Sequence, residues 1–425
     1  VHTVTEKPTT LGDLIQYYRQ RKKISLSKLQ ELVGIDKGNL SRIEKGEVKR
    51  PDFKIIESIG IVLEIPSDDI IEKYIEIGHK ADAIFSLLLK AIETFSKLSL
   101  ITKIATKYLE SPKEDTLDLV GKLQKVADSV ENTDIKLSLY GLIIEYSRNH
   151  GIMPTFAKAL YKKYMIERND FTKLDQTYQF GKKVLDYSNF LDINDQIKLN
   201  YALSVHAYSL MDYCSAIELG LYVAEHGKGE YQAHAIYNVC SAYYHQKQYD
   251  MCQLYLKKYS QFTYPFVPNN VKLMIAFING KTGNIDLAIS ELNSYLQQPC
   301  AYTLTSAVTE LLDLYLYKKD LDVGWLFQYE DLMTETTQKD YATPYIKSKF
   351  AYYFRLKGKL LKSKNQVSLA IDSYLKSASE YIKIGHYKEA SISLLLISQT
   401  MFNDNKINHE IVQKANSLMD FLNSK

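Results

Sequence analysis

The sequence predicts an all-α protein with a small helical head and a long helical-repeat body. Three observations carry that expectation. Glycine (18) and proline (9) are scarce over 425 residues, so the turn residues that a many-stranded β-protein needs are missing. Apolar residues recur with a helical period through most of the chain. From about residue 196 onward, small residues return at a fixed step, the mark of a repeat array. At 425 residues the chain exceeds one ordinary core, and 46% hydrophobic with 24% charged residues is a globular balance.

The first sixty-six residues read as four short helices. "TLGDLIQYYRQRKK" places Leu11, Leu14, Ile15 and Tyr18 on one helical face, with Thr9 or Thr10 as its cap. "SLSKLQELVG" is a second helix capped by Ser25, turning Leu29, Leu32 and Val33 inward and ending at Gly34. Asp36 caps a third, with Leu40 and Ile43 as its apolar side, and Pro51-Asp52 starts a fourth that stops before Pro66. This segment holds twelve Lys/Arg against nine Asp/Glu, while the remaining residues hold 41 of each. The whole net charge of +3 therefore sits in the head, as contact with an anion such as DNA would favour.

The stretch "GIDKGNLSRIEKGEVKRPDFKIIESIGIVLEI" resembles the Cro/C1-type (Xre-like) helix-turn-helix family. Its pattern there is Gly-Ile-Ser-x-x-x-Ile-Ser-Arg-Ile-Glu-x-Gly, then Pro, then Ile-Ala-x-x-Leu. The resemblance implies that Lys37, Gly38 and Asn39 occupy the first turn of a recognition helix and reach base edges in the major groove. Asn39 can pair with adenine and Lys37 can reach guanine. Gly38 would permit close approach, and a purely structural helix would have no reason for it. Ser41 and Arg42 fall where they reach a base or phosphate, and Glu44 and Gly46 close the helix. The family places Gln at the start of the second helix to grip a phosphate, and here that position is Leu26. Lys22, Lys23, Lys28, Lys45, Lys49 and Arg50 are then expected to supply the backbone contacts, which position a protein without reading sequence.

Past Pro66, Ser67-Asp68-Asp69 caps a new helix and helix follows helix. Aligning "SLMDYCSAIELGL", "HQKQYDMCQLYLKKY", "GKTGNIDLAISELNSY" and "YKKDLDVGWLFQY" puts Ala216, Cys252, Ala288 and Gly324 in register, 36 residues apart each time. "KSKNQVSLAIDSYL" adds Ala370 after an insertion of ten, and "KIGHYKEASISL" ends the series at Ala390. An aromatic or apolar residue stands three positions earlier (Tyr213, Tyr249, Ile285, Leu321, Val367), and a small one twelve earlier (Ser204, Cys240, Ala276, Gly358). Leu312 breaks that second series, so its copy is degenerate. The pattern resembles the tetratricopeptide repeat (TPR), which implies a right-handed α-solenoid whose stacked helix pairs line a concave groove. The expected domains are 1–66, a DNA-binding helix-turn-helix; 67–190, a linker helix and degenerate TPR-like helices; and 191–425, TPR repeats with C-terminal capping helices.

With that register, the first helix of each pair turns Lys198, Tyr201, Val205, Tyr208, His234, Tyr237, Asn238, Ser241, Tyr244, His245, Asn270, Phe277, Glu310, Asp313, Arg355 and Lys359 toward the groove. Polar residues among aromatic ones suit an extended peptide, whose backbone groups need partners once they leave water. A helix-turn-helix head on a TPR body resembles the RRNPP family of peptide-responsive regulators, with NprR-type regulators and the arbitrium receptors (AimR) of phages as the nearest plan. The resemblance implies a cytoplasmic, quorum-sensing-type transcription regulator. It would bind a double-stranded DNA operator as a homodimer formed through the solenoid and be switched by a short signalling peptide. Control of phage lysis and lysogeny is one role within that family. The alternatives are a Rap-like protein that binds a response regulator and modulates a phosphorelay, for which Gln176 and Gln179 are the water-orienting candidates, or a TPR scaffold.

Enzyme chemistry is not expected. The sequence has no phosphate-binding glycine loop, no HExxH and no GxSxG. No metal or other cofactor is implied, because the nine histidines are scattered. Cys214, Cys240, Cys252 and Cys300 form no CxxC pair, and Cys240 and Cys252 read as small packing residues. Apolar runs such as "AIFSLLL" fall short of the ~20 residues that span a bilayer, and nothing resembles a signal peptide, so no membrane partner is expected.

Overall fold

The computed structural model describes residues 8–401 apart from 95, 112–113 and 340–341, together with 413 and 415–420. Among the described residues every regular element is helical. The chain divides into two compact units, Val1–Ile166 and Glu167–Lys425.

The first unit carries α1 (Leu11–Arg21), α2 (Leu26–Val33), α3 (Lys37–Glu44), α4 (Phe53–Leu63) and α5 (Ser67–Tyr74). It continues with α6 (Ala81–Glu93), α7 (Leu98–Leu109), α8 (Thr116–Ser129), α9 (Thr133–Asn149) and α10 (Met153–Glu167). The caps follow the sequence closely. Thr10 and Asp13 form a reciprocal capping box on α1, Ser25 accepts the Lys28 N–H at 3.1 Å, and Asp52 accepts the Lys54 N–H at 2.8 Å. Gly34 ends α2 with φ +70°, a left-handed conformation that a side chain would resist. One expected cap differs: the residue before α5 is Pro66, and no side chain of Ser67-Asp68-Asp69 caps it. Ile15, Leu29, Leu40, Ile56, Ile59 and Leu63 are buried in a core that runs on without a break to Leu123, Leu139 and Ile143. Each such side chain contributes roughly 1.5–3 kcal/mol of burial.

The second unit contains α11 (Leu174–Leu185), α12 (Ile193–Ser209), α13 (Tyr213–His226), α14 (Gly229–His245), α15 (Tyr249–Tyr259), α16 (Val267–Lys281) and α17 (Ile285–Tyr295). Then come α18 (Ala301–Tyr317), a 3-10 helix (Gly324–Tyr329), α19 (Glu330–Gln338), α20 (Pro344–Ser363), α21 (Val367–Ile382) and α22 (Tyr387–Met401). Successive helices pack as antiparallel pairs, and the repeat is visible in backbone detail. Met211, Lys247, Gly283, Lys319, Asn365 and Gly385 all have positive φ, each five residues before the small residue of its copy. The next N–H closes the same 6→1 bond every time: Asp212 to Ala207 O at 2.9 Å, Gln248 to Tyr243 O at 2.9 Å, Asn284 to Asn279 O at 2.9 Å and Asp320 to Tyr315 O at 3.0 Å. Gln366 to Leu361 O at 2.9 Å and His386 to Tyr381 O at 3.0 Å continue it. These are Schellman turns, ending the first helix of a pair so that the second can fold back.

The helix–helix contacts use the small residues in register. Ser204 Oγ donates to Ala216 O at 2.7 Å, and one repeat later Cys240 Sγ lies 3.3 Å from Cys252 O. Cys240 and Cys252 are fully buried free thiols, 3.5 Å apart at sulfur, and the hydrogen bond with Cys252, together with burial, raises the Cys240 pKa. Gly358 permits a close crossing, since a Cβ there would lie 2.5 Å from the Tyr374 ring. Gly324 corrects the expected pattern. It is exposed at the start of the 3-10 helix, and Leu326 and Met333 enter the core instead, so no full second helix follows α18.

Candidate functional site

The head presents α3 as an exposed helix held firmly from beneath. Leu40 and Ile43 are buried, while Lys37, Gly38, Arg42 and Lys45 are exposed and Asn39 and Ser41 half-buried. Asp36 caps the helix through the Gly38 N–H at 2.5 Å, and Gln30 of α2 accepts the Lys37 N–H at 2.9 Å. A Cβ at Gly38 would lie 3.0 Å from an Asp36 carboxylate oxygen, a tight contact that this exposed side chain can relieve by a small shift.

Two contacts fix the pose of α3 against α1. Arg19 grips the Glu44 carboxylate with two N–H donors, at 2.6 and 2.8 Å, and donates a third bond to Ile24 O at 3.0 Å. Glu44 keeps the Arg19 guanidinium charged more firmly than usual, against the opposing cost of burial. Gly12 brings the α1 backbone so near that a Cβ would fall 2.2 Å from Glu44 O. Leu26 packs half-buried on the core, so the start of α2 contributes packing where the family pattern has a phosphate grip.

The expected phosphate cations divide into two groups. Lys22 is committed within the unit, to Val62 O at 3.3 Å and Glu64 at 2.8 Å. Arg50 donates to Gly78 O at 2.7 Å, Lys28 pairs with Glu31 at 2.8 Å, and Arg42 approaches Glu47 at 3.9 Å. Lys23 sits at the positive-φ turn after α1. Lys45 and Lys49, with Ser41, line a groove of about 820 Å³ beside the start of α1. Among the described residues Lys37, Lys45 and Lys49 make no ion pair, which leaves their charge for an anion.

The second unit encloses a cavity of about 320 Å³. Tyr201, Val205 and Tyr208 of α12, His234, Tyr237, Asn238 and Ser241 of α14, and Phe277 of α16 line it together, as their repeat register predicts. Residues that were not expected complete the wall. Leu273 stands 36 residues after Tyr237 and Ser306 stands 36 after Asn270, so the same register could have found them. Tyr244 and His245 line it as the register predicts, and Met274, Tyr302 and Thr303 are further additions. Thr343, Tyr345 and Ile346, at the start of α20, carried no such signal, because the ten-residue insertion displaces them from the repeat. Tyr345 reaches across to α12, its ring 5.0 Å from that of Tyr208.

This wall holds no Asp, Glu, Lys or Arg. Burial, with the Lys349 and Lys281 charges nearby, pushes the His245 pKa down to about 3, and burial lowers that of His234. Both imidazoles are therefore neutral near pH 7. Burial likewise raises the pKa of Tyr208 and Tyr237 and keeps them protonated. Asn238 already donates to Ser204 Oγ at 2.7 Å, leaving its carbonyl oxygen as the group to offer a ligand.

Six residues placed on the groove by register lie outside this cavity, of which Lys198 and Lys359 are exposed. Asn270 donates to Tyr259 Oη at 2.8 Å. Glu310 is buried, takes Lys281 Nζ at 2.8 Å and accepts from Tyr244 Oη at 3.2 Å, and Asp313 holds the same ammonium at 3.2 Å. Burial opposes the Lys281 charge, yet the two carboxylates hold its pKa above the usual value. Arg355 is locked to Glu389 at 2.8 Å and to Ser393 Oγ at 3.0 Å, with Tyr381 4.9 Å from its guanidinium. Gln176 and Gln179 are exposed on α11. No group of metal-binding side chains and no helix long and apolar enough to cross a membrane occurs among the described residues.

Comparison with known proteins agrees with the head. Residues 14–74 match the family model of the Cro/C1-type HTH DNA-binding domain. The HTH-type transcriptional repressor RghR of Bacillus subtilis (strain 168) is 26% identical over 129 residues, covering 29% of this chain and 94% of the repressor. Among solved structures, Bacillus thuringiensis PlcR in complex with the peptide PapR7 and DNA aligns over 90% of this chain and 98% of its own, at 15% identity and a TM-score of 0.32.

Proposed function

We propose that this protein is a transcription regulator that reads operator DNA through α3 and is switched by a short signalling peptide bound in the cavity of the second unit. The observation that carries the reading is the coexistence of a Cro/C1-type head and a ligand-sized, uncharged cavity built from the inner faces of its helical repeats. Lys37 and Asn39 read bases, and Ser41, Lys45 and Lys49 hold phosphates. Lys22 and Arg50, being committed within the unit, contribute field rather than contact.

The protein acts as a homodimer, because head pairs bind half-sites separated by a helical turn or a multiple of it. A peptide then shifts DNA affinity through its differential affinity for two arrangements of the dimer, a coupling of ~1–3 kcal/mol. A cytoplasmic location and a role in phage lysis and lysogeny belong to the same reading. The test is selection of operator DNA from a random duplex library, followed by titration of the bound complex with synthetic hexapeptide pools. A pool that changes operator retention for the wild type, but not for Phe277→Ala or Tyr237→Ala, supports the switch. Sequence-selective binding that no pool alters would remove the peptide from the account.

A further inference from the structure

The wall chemistry narrows the ligand, given the peptide reading above. The cavity lining offers aromatic rings, hydroxyls and one amide and no ionised side chain, the Lys349 ammonium lying behind Tyr345 at 5.6 Å from its ring. A charged ligand side chain would therefore lose its water there with no ionic partner in the wall. At about 320 Å³ it lies at the small end of ligand pockets, with room for the end of a peptide rather than its whole length.

A second cavity of about 150 Å³ adjoins the first, and the two share Val205, Ser209 and Thr343. Its wall includes Arg168, half-buried just beyond α10. Among the described residues no carboxylate is ion-paired with Arg168. Asp170, two residues on, is taken by Lys173 at 3.2 Å and by Thr172. The Arg168 charge reaches both Tyr201 in the main cavity and His206 in the side cavity. A guanidinium in that position, at the edge of a neutral chamber, is matched by one anionic group on an otherwise uncharged ligand.

We propose that the site takes the C-terminal end of a peptide, with uncharged apolar or aromatic side chains in the main cavity and the terminal carboxylate on Arg168. Specificity then has two parts: exclusion of charged side chains by the neutral wall, and a requirement for a free C-terminus.

The test uses acetyl-Leu-Phe as the free acid and as the C-terminal amide, with acetyl-Lys-Glu free acid as the charged control, by calorimetry on the full chain. The expected result is that the Leu-Phe acid binds about tenfold or more tightly than its amide, the gap expected of a charge-assisted bond. Arg168→Gln should erase that gap while leaving amide binding unchanged, and Phe277→Ala should weaken both forms. Equal binding of acid and amide to the wild type would overturn the carboxylate seat. Equal binding of the Lys-Glu control, or no binding of either Leu-Phe form, would overturn the neutral-chamber selection. Binding with the expected pattern but without any effect on operator retention would instead sink the peptide-switch reading, and leave this ligand chemistry standing.

Discussion

Replacing Glu44 by Ala tests how α3 is held. Glu44 and Arg19 have side chains only 7% and 13% exposed, and two short N–H···O bonds join them across α1 and α3. Deleting the carboxylate strands a guanidinium in a site that has excluded most of its water. Breaking a fully buried pair from one side costs about 3–5 kcal/mol, and this part-buried pair sits at or below the low end of that range, whereas replacing both members by apolar groups is often close to neutral. Arg19→Met/Glu44→Met should therefore recover most of the loss, short of about 1 kcal/mol for the bond to Ile24 O. Hydrogen exchange of the α1 and α3 amides reads the opening free energy locally, with the α20 and α21 amides as an internal control. Operator affinity should fall with Glu44→Ala and return in the double variant. A loss below about 1 kcal/mol in Glu44→Ala, or a double variant worse than the single, would refute the view that this pair locks α3.

Four further outcomes follow from other contacts in the two units. Lys37→Ala and Asn39→Ala should each cost ~1–3 kcal/mol at one base position of a selected operator, while Lys45→Ala or Lys49→Ala should weaken all sequences alike and reduce the salt slope by about 1. Lys22→Ala, whose ammonium is bound to Val62 O and Glu64, should leave that slope unchanged, as fluorescence anisotropy against salt would show. Gly358→Ala should lower the urea midpoint by an amount corresponding to ~1–3 kcal/mol, because the new methyl meets the Tyr374 ring and a gain of about 1 kcal/mol in helix propensity does not offset the overlap. Acid should destabilise the second unit. Burial lowers the His206 pKa to about 4, so the unfolded chain takes up a proton that the folded one refuses, and the stability present above about pH 6.5 is lost as pH falls toward 4. Urea midpoints at pH 7 and pH 4.5 should differ less in His206→Leu than in the wild type.

The head was largely legible because its signals are local. Thr10, Ser25, Asp36 and Asp52 cap where side chains of that type must, and Gly34 marks a turn that needs positive φ. In the body, the 36-residue step was legible in small residues but not in the turns that create it, since Met211, Lys247, Lys319 and Asn365 take the left-handed conformation that sequence reading reserves for glycine. The inner face of the repeats was legible as register, which brings ten of its residues together in the wall of one cavity. What register could not decide was occupancy by neighbours. Glu310, Asp313 and Arg355 have the right phase, but Lys281 and Glu389 claim them from elsewhere in the fold. Tyr345 likewise closes the cavity from a segment that the repeat does not index.

The central claim is that α3 reads sequence, and it is tested most directly by finding which DNA the protein holds in cells. Crosslinking, capture and sequencing of bound fragments should be compared between the wild type and Lys37→Ala/Asn39→Ala. Sharp peaks sharing one motif that vanish in the variant are the predicted result. Peaks that persist unchanged in the variant, or a wild-type profile without peaks, would contradict it.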